Sequence, residues 1–123
     1  MEFMMKRHLF LLFCVLFFSA CKAEREPKED KLRQWMSDNG KKKILCTTAM
    51  VSSLVERVGG TAIECLTLIQ GEHDPHSYQL VKGDDEKIAR ADLIFFSGLG
   101  LEHGPSLAYH LQNNSKAYSL GAY

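Results

Sequence analysis

ILCTTAMVSSLVERVGGTAIECLTLI, residues 44–69, changes its apolar rhythm twice in a single stretch. Ile44-Leu45-Cys46-Thr47-Thr48 is a short apolar run of strand length. Val51, Leu54, Val55 and Val58 then recur at i, i+3, i+4 and i+7, the stripe of an amphipathic helix, and Gly59-Gly60 stops it. Ile63 to Ile69 is a second strand. The same alternation continues downstream. Asp84 is placed to cap a short helix through Arg90, and Leu93-Ile94-Phe95-Phe96 is a third strand, apolar throughout. Pro105 suits the first turn of a helix running to about Asn113, and Ala117 to Leu120 reads as a fourth strand. Strand and helix in alternation predict an α/β fold, a parallel β-sheet flanked by helices on both faces, with right-handed crossovers. In such sheets ligands bind beyond the carboxyl ends of the strands, which directs the search for function to the loops that follow them.

Upstream of this domain the chain reads differently. Lys6, Arg7 and His8 precede an uncharged block, Leu9 to Phe18, that ends in the small residues Ser19 and Ala20. This is the pattern of a secretory signal peptide over residues 1–20, and the block is shorter than the roughly 20 apolar residues a membrane span requires. Phe18-Ser19-Ala20-Cys21 resembles a bacterial lipobox, in which Cys21 would carry the lipid, although Phe18 stands where that pattern prefers leucine. Cleavage after Ala20 or Ala23 by an ordinary signal peptidase is the alternative. Both imply export, to the periplasm or to a membrane surface through a lipid anchor. Residues 22–43 are dense in charge and read as a solvated linker, in which Leu32, Trp35 and Met36 allow one short amphipathic turn ended by Asp38-Asn39-Gly40. The 15 basic and 15 acidic side chains balance, so nothing in the charge points to nucleic acid as a partner.

With Cys14 inside the signal and Cys21 at its end, only Cys46 and Cys65 remain for the domain. Both lie in apolar strand-like runs, where cysteine usually acts as a small buried hydrophobe. An oxidising compartment would also permit a disulfide, and spacing alone does not decide between the two.

Two loops carry candidate chemistry. Gly98-Leu99-Gly100-Leu101-Glu102-His103 approaches a dinucleotide fingerprint but has His103 where the third glycine belongs, so its glycines are expected to shape a tight turn. Glu102 beside His103 reads as a solvated loop pair rather than an acid/base couple. Neither a G-x-S-x-G elbow nor an H-E-x-x-H helix is present, leaving a metal-dependent hydrolase without a recognisable framework. Gly71-Glu72-His73-Asp74-Pro75-His76-Ser77-Tyr78-Gln79 leaves the second strand. Pro75 pushes Asp74 out of the helical region, so the two histidines cannot share a helix face and should diverge. A turn with both histidines solvated and a site with one of them facing the crevice both stay open on these residues alone.

Three segments in order, Gly71 to Gln79 with its Asp74-Pro75-His76-Ser77-Tyr78, Lys87 to Phe95, and Gly98 to Glu102, resemble the metal-specific substrate-binding proteins of bacterial ABC importers. Thr47-Thr48 and Val58-Gly59-Gly60 fit that family's first strand and helix end. The resemblance runs from about Lys43 to the end of the chain. It implies most of the N-terminal lobe of a two-lobed metal-receptor fold, with residues 44–123 an incomplete lobe. It implies also that His76 is a direct ligand to a divalent transition metal, zinc, manganese or iron, while His73, His103 and His110 are surface residues. The remaining ligands would come from beyond Tyr123, and the partner would be a membrane permease with its cytoplasmic ATPase. No catalysis is expected; a surface adhesin-like lipoprotein is the alternative. Without the second lobe, part of the apolar surface is expected to stand bare.

Overall fold

A computed structural model describes residues 27–121. The signal segment, Cys14 and Cys21 lie outside the described residues. Among the described residues no helix is long and apolar enough to cross a membrane.

The elements are α1 (Pro27–Met36), β1 (Lys42–Cys46), α2 (Ala49–Gly59), a short 3-10 turn (Gly60–Ala62), β2 (Ile63–Thr67), α3 (Asp84–Arg90), β3 (Leu93–Phe96), α4 (Pro105–Gln112) and β4 (Ala117–Ser119). The four strands form one sheet in the order β2-β1-β3-β4, and every neighbouring pair is parallel. This is the expected α/β architecture. Strand ends differ by a residue or two from the apolar runs: β1 starts at Lys42, and the second run leaves regular pairing after Thr67. The ladder nevertheless continues, since Leu68 N–H donates to the Cys46 carbonyl (2.8 Å) and Ile69 N–H to that of Thr47 (2.9 Å).

Thr48 sits in extended backbone before α2 and its hydroxyl accepts the Val51 N–H, an N-cap that starts the helix directly after β1. Residues of the strands alternate between two cores, as strand geometry requires. On one face Leu45, Leu66 and Ile94 pack with Trp35, Ile88, Ala91, Leu107 and Leu111, contributed by α1, α3 with its end, and α4. On the other, Ile44, Cys46 and Cys65 pack with Val51 of α2, and Val55, Ile63, Leu93 and Phe95 are only half buried.

The solvated linker expected over residues 22–43 is corrected in its second half. Pro27–Met36 is a three-turn helix with Glu29 and Asp30 in its first turn and Arg33 in its last, a charge order that suits the helix dipole. Trp35 is 1% exposed, and its indole N–H donates to the carbonyls of Ile44 (3.2 Å) and Glu64 (3.1 Å). Leu32 and Met36 pack beside it. The high charge of the segment solvates its outer side, while one aromatic side chain docks it on β1 and β2. Lys42 and Lys43, also read as linker, belong to β1. Lys43 is buried, and its ammonium pairs with Glu64 (2.6 Å) and donates to Asn39 (2.8 Å). The Lys43 ammonium in turn holds the Glu64 carboxyl below the ordinary carboxylate range, with Asn39 and Gln34 assisting against partial burial.

Candidate functional site

The chain leaves the carboxyl edge of β2 through a loop that ends at α3. Within it Asp74, Pro75, His76 and Ser77 form a compact turn. The Asp74 carboxylate accepts the His76 N–H (3.0 Å) and the Ser77 hydroxyl (3.1 Å), and Ser77 N–H closes on the Asp74 carbonyl (3.3 Å). This is the side-chain-to-backbone bonding that favours aspartate at the start of turns. The His76 amide, with the Ser77 hydroxyl, holds the Asp74 carboxyl below its ordinary range. His76 is thereby presented at the surface by a turn that fixes its own backbone.

The second half of the loop is tied down from α3 and α4. Asp84 was expected to cap α3, but it is instead the first helical residue, and Gly83 at the cap position makes no side-chain bond. The Asp84 carboxylate is fully buried and turns back toward the loop. It accepts the Tyr78 hydroxyl (2.8 Å), the Val81 N–H (3.0 Å) and the Lys87 ammonium (2.9 Å). Burial disfavours its charge, yet Lys87, Val81 and Tyr78 together outweigh that and keep the carboxyl below the ordinary range. Burial, then the Asp84 hydrogen bond and charge, push the Tyr78 phenol up. Ser106 of α4 accepts the Leu80 N–H (3.1 Å) and donates to Gln79 (2.9 Å). Gly104 comes so close that a Cβ there would collide with the Tyr78 carbonyl.

The loop after β3 faces the same edge. Gly98, Leu99 and Gly100 all have positive φ, at 74°, 53° and 76°, and Leu101 N–H closes the turn on the Gly98 carbonyl (3.1 Å). The tight turn expected of these glycines is present, with Leu99 as a non-glycine residue in left-handed backbone. Glu102 corrects the expectation of a solvated pair: it is buried at 7% exposure and does not act with His103. Its carboxylate accepts the Thr47 hydroxyl (2.7 Å) and the Ser97 N–H (2.8 Å) on one oxygen and the Gly98 N–H (3.2 Å) on the other. Strand order β2-β1-β3-β4 puts the topological switch point between β1 and β3. Glu102 fastens the end of β1 to the loop after β3 at that point, filling with the protein's own carboxylate the crevice where such folds often receive ligands.

His73 and His76 diverge. The His73 ring stands edge-on to Tyr78 (centroids 6.1 Å apart) and borders a cleft of about 540 Å³ that also touches Thr48, Gln70, Pro75 and Leu101. The His76 ring stacks on that of His103, with centroids 5.6 Å apart and planes at 23°. His103 is exposed, as expected of a surface residue, but it is not isolated: the loop after β3 brings it onto the histidine singled out in the loop after β2. His110 lies on α4 against Tyr109. Among the described residues, no group of three or more histidine, cysteine, aspartate or glutamate side chains is placed to hold a metal ion. The two stacked imidazoles are nitrogen donors of the kind that transition metals accept, and by themselves they fall short of the four positions a closed site fills.

A family model described as "Zinc-uptake complex component A periplasmic" matches residues 44–121. Over 79 residues the chain is 48% identical to the metal-binding protein YtgA of Chlamydia muridarum, covering 64% of this chain and 24% of that protein. The crystal structure of Fe(III)-bound YtgA from Chlamydia trachomatis is similar at a TM-score of 0.61 and 45% identity, covering 63% of this chain and 27% of that one. The periplasmic zinc-binding protein TroA of Treponema pallidum is similar at a TM-score of 0.56 and 28% identity, over 63% of this chain and 28% of its own. The chain thus spans about a quarter of the length of the relatives it matches. Because the match covers residues 44–121, more than half of the chain, the chain belongs to the zinc-uptake complex component A periplasmic family.

Proposed function

We propose that the chain contributes His76 to a site that captures a divalent transition metal, zinc, manganese or iron, and that the full-length receptor delivers this cargo to an ABC importer permease with its cytoplasmic ATPase. The observation that carries the reading is the Asp74-Pro75-His76 turn, closed by Asp74 hydrogen bonds in the loop after β2 inside the matched span, with its imidazole at the surface. A neutral imidazole donates a nitrogen lone pair and fills one of the four or so positions of a closed site. Metal and proton compete for that lone pair, so acid weakens capture. The chemistry is reversible binding rather than catalysis. Export follows from the signal pattern over residues 1–20, to the periplasm or to a membrane surface through lipid on Cys21. Mass spectrometry of the mature N-terminus separates those two fates.

The test is metal titration of a full-length relative carrying the equivalent of His76→Ala. Affinity should drop by more than about tenfold, the smaller loss being typical even for residues that merely support a ligand. The equivalent of His73→Ala should leave affinity unchanged. Equal affinities in the wild type and the His76 variant would remove His76 from the site.

A further inference from the structure

Cys46 and Cys65 are both free and buried, on neighbouring parallel strands, with their sulfurs 3.2 Å apart. In the register Ile44 lies opposite Cys65 and Cys46 opposite Thr67, so the two cysteines sit one diagonal step apart on the same face of the sheet. A disulfide needs a sulfur separation near 2.05 Å, which leaves about one ångström to close. A third polar atom joins them, for the Ser52 hydroxyl of α2 lies 3.2 Å from the Cys65 sulfur. Access is unequal. Cys65 borders an open cavity of about 290 Å³ together with Lys31, Glu56 and Glu64, whereas Cys46 is 0% exposed and borders none of the cavities described. Two thiols packed only as small hydrophobes would require neither a hydroxyl partner nor an opening on one of them.

We propose that Cys46 and Cys65 are a redox pair that closes into an intrachain disulfide across β1 and β2, Cys65 attacking first, when the protein meets an oxidant of the disulfide class. The hydrogen bond from Cys46, opposed by burial and reinforced by Ser52, holds the Cys65 thiol down to about 7. The same bond, together with burial, pushes Cys46 up. Cys65, the sulfur that borders the cavity and the one drawn toward the thiolate form, is therefore the one that attacks. In the first step the Cys65 sulfur bonds to one sulfur of the oxidant RSSR, the S–S bond of RSSR breaks, and RS⁻ leaves to take up the proton Cys65 had released. In the second, the Cys46 sulfur displaces the remaining RS group from Cys65, and that group leaves with the Cys46 proton. Two thiols are oxidised and one disulfide is reduced to two RSH. The closed loop encloses α2 and the 3-10 turn, so the bond staples the sparsely covered face of the sheet.

The reduced full chain is incubated with oxidised glutathione at neutral pH, alkylated, digested with trypsin and mapped by mass spectrometry. The expected product joins Ile44–Arg57 to Val58–Lys82, lighter by two hydrogens than the separate peptides. The Cys46→Ser variant should retain a glutathione adduct on Cys65, and the Cys65→Ser variant should leave Cys46 unmodified. The oxidised wild type should unfold at least about 5 °C above the reduced form. Wild-type protein in which Cys46 and Cys65 are both alkylated after oxidation would overturn the proposal, as would adducts confined to Cys46, pairing only with Cys14 or Cys21, or an unchanged midpoint. The wild-type arm holds even if a variant fails to fold.

Discussion

Among the described residues, one face of the sheet carries three helices and the other carries one. Trp35, Leu107, Leu111 and Ile88 close over Leu45, Leu66 and Ile94 on the first, whereas Val51 is the one buried apolar residue that α2 sets against the second. The consequence is visible on α2 itself, where four apolar residues share a helical stripe yet only Val51 is buried; Val55 is half buried and Leu54 and Val58 are exposed. Beside them Phe95 and Leu120 line an open apolar groove of about 340 Å³. An amphipathic period therefore reports which side of a helix is apolar, and not how much of that side finds a partner. The functional loops hang from the thick face, since Asp84 of α3 and Ser106 of α4 are what hold the loop carrying His76. The thin face holds the cysteines.

The largest effect should come from the thick face. Trp35→Ala removes a fully buried indole and two hydrogen bonds, with an expected cost of about 3–5 kcal/mol, the usual range for a buried Trp→Ala change. A domain of this size has little stability to spare, so the variant should be largely unfolded by circular dichroism at room temperature. A cost below about 1 kcal/mol would return Pro27–Met36 to the role of a linker and erase much of the asymmetry between the faces.

That residue also marks where sequence reading succeeded and where it stopped. Alternating strand and helix patterns along residues 44–120 are local, and the parallel α/β sheet follows from them. Trp35 was visible at helical spacing with Leu32 and Met36, but the surrounding charge masked it, because composition averages over a segment whereas docking turns on a single side chain. At the site, the turn at Asp74-Pro75 and the separation of His73 from His76 rest on backbone rules that act within a few residues. The stacking of His103 on His76, the burial of Glu102 under Thr47 and the return of Asp84 to Tyr78 each join residues from different loops or elements. Nothing in local periodicity encodes which loops meet at a sheet edge.

A smaller effect separates the faces by pH. The Asp84 carboxyl, under the thick face, is held below its ordinary range by Lys87, Val81 and Tyr78 despite burial. Its contribution is thus fully present above the ordinary aspartate value of about 3.9 and is lost as pH falls through the lowered folded-state value. Denaturant midpoints should decline in that acid window. In Asp84→Asn the decline should flatten, at a cost near neutrality of roughly 1–3 kcal/mol for the donors left poorly matched. An identical acid slope in the variant would assign the loss to Asp74, Glu64 and Asp92, whose carboxyls are likewise lowered.

On the thin face, shortening Val51 to alanine should cost only about 1.5 kcal/mol, the transfer of two methyl-sized groups from a shallow core. The smallest change of all should be Val58→Ser. Val58 is 91% exposed, so folding buries almost none of it, and its removal should leave the unfolding midpoint within about 0.5 kcal/mol of wild type. What should change is association. An apolar groove bordered by Leu54, Val58 and Leu120 offers each molecule a surface to bury against another, and a hydroxyl at its rim makes that burial less favourable. Sedimentation across a concentration series should therefore show a shift toward monomer in Val58→Ser with no gain or loss of stability. A variant that loses stability instead would mean that α2 is covered in solution and that the two faces are less unequal than the structure makes them.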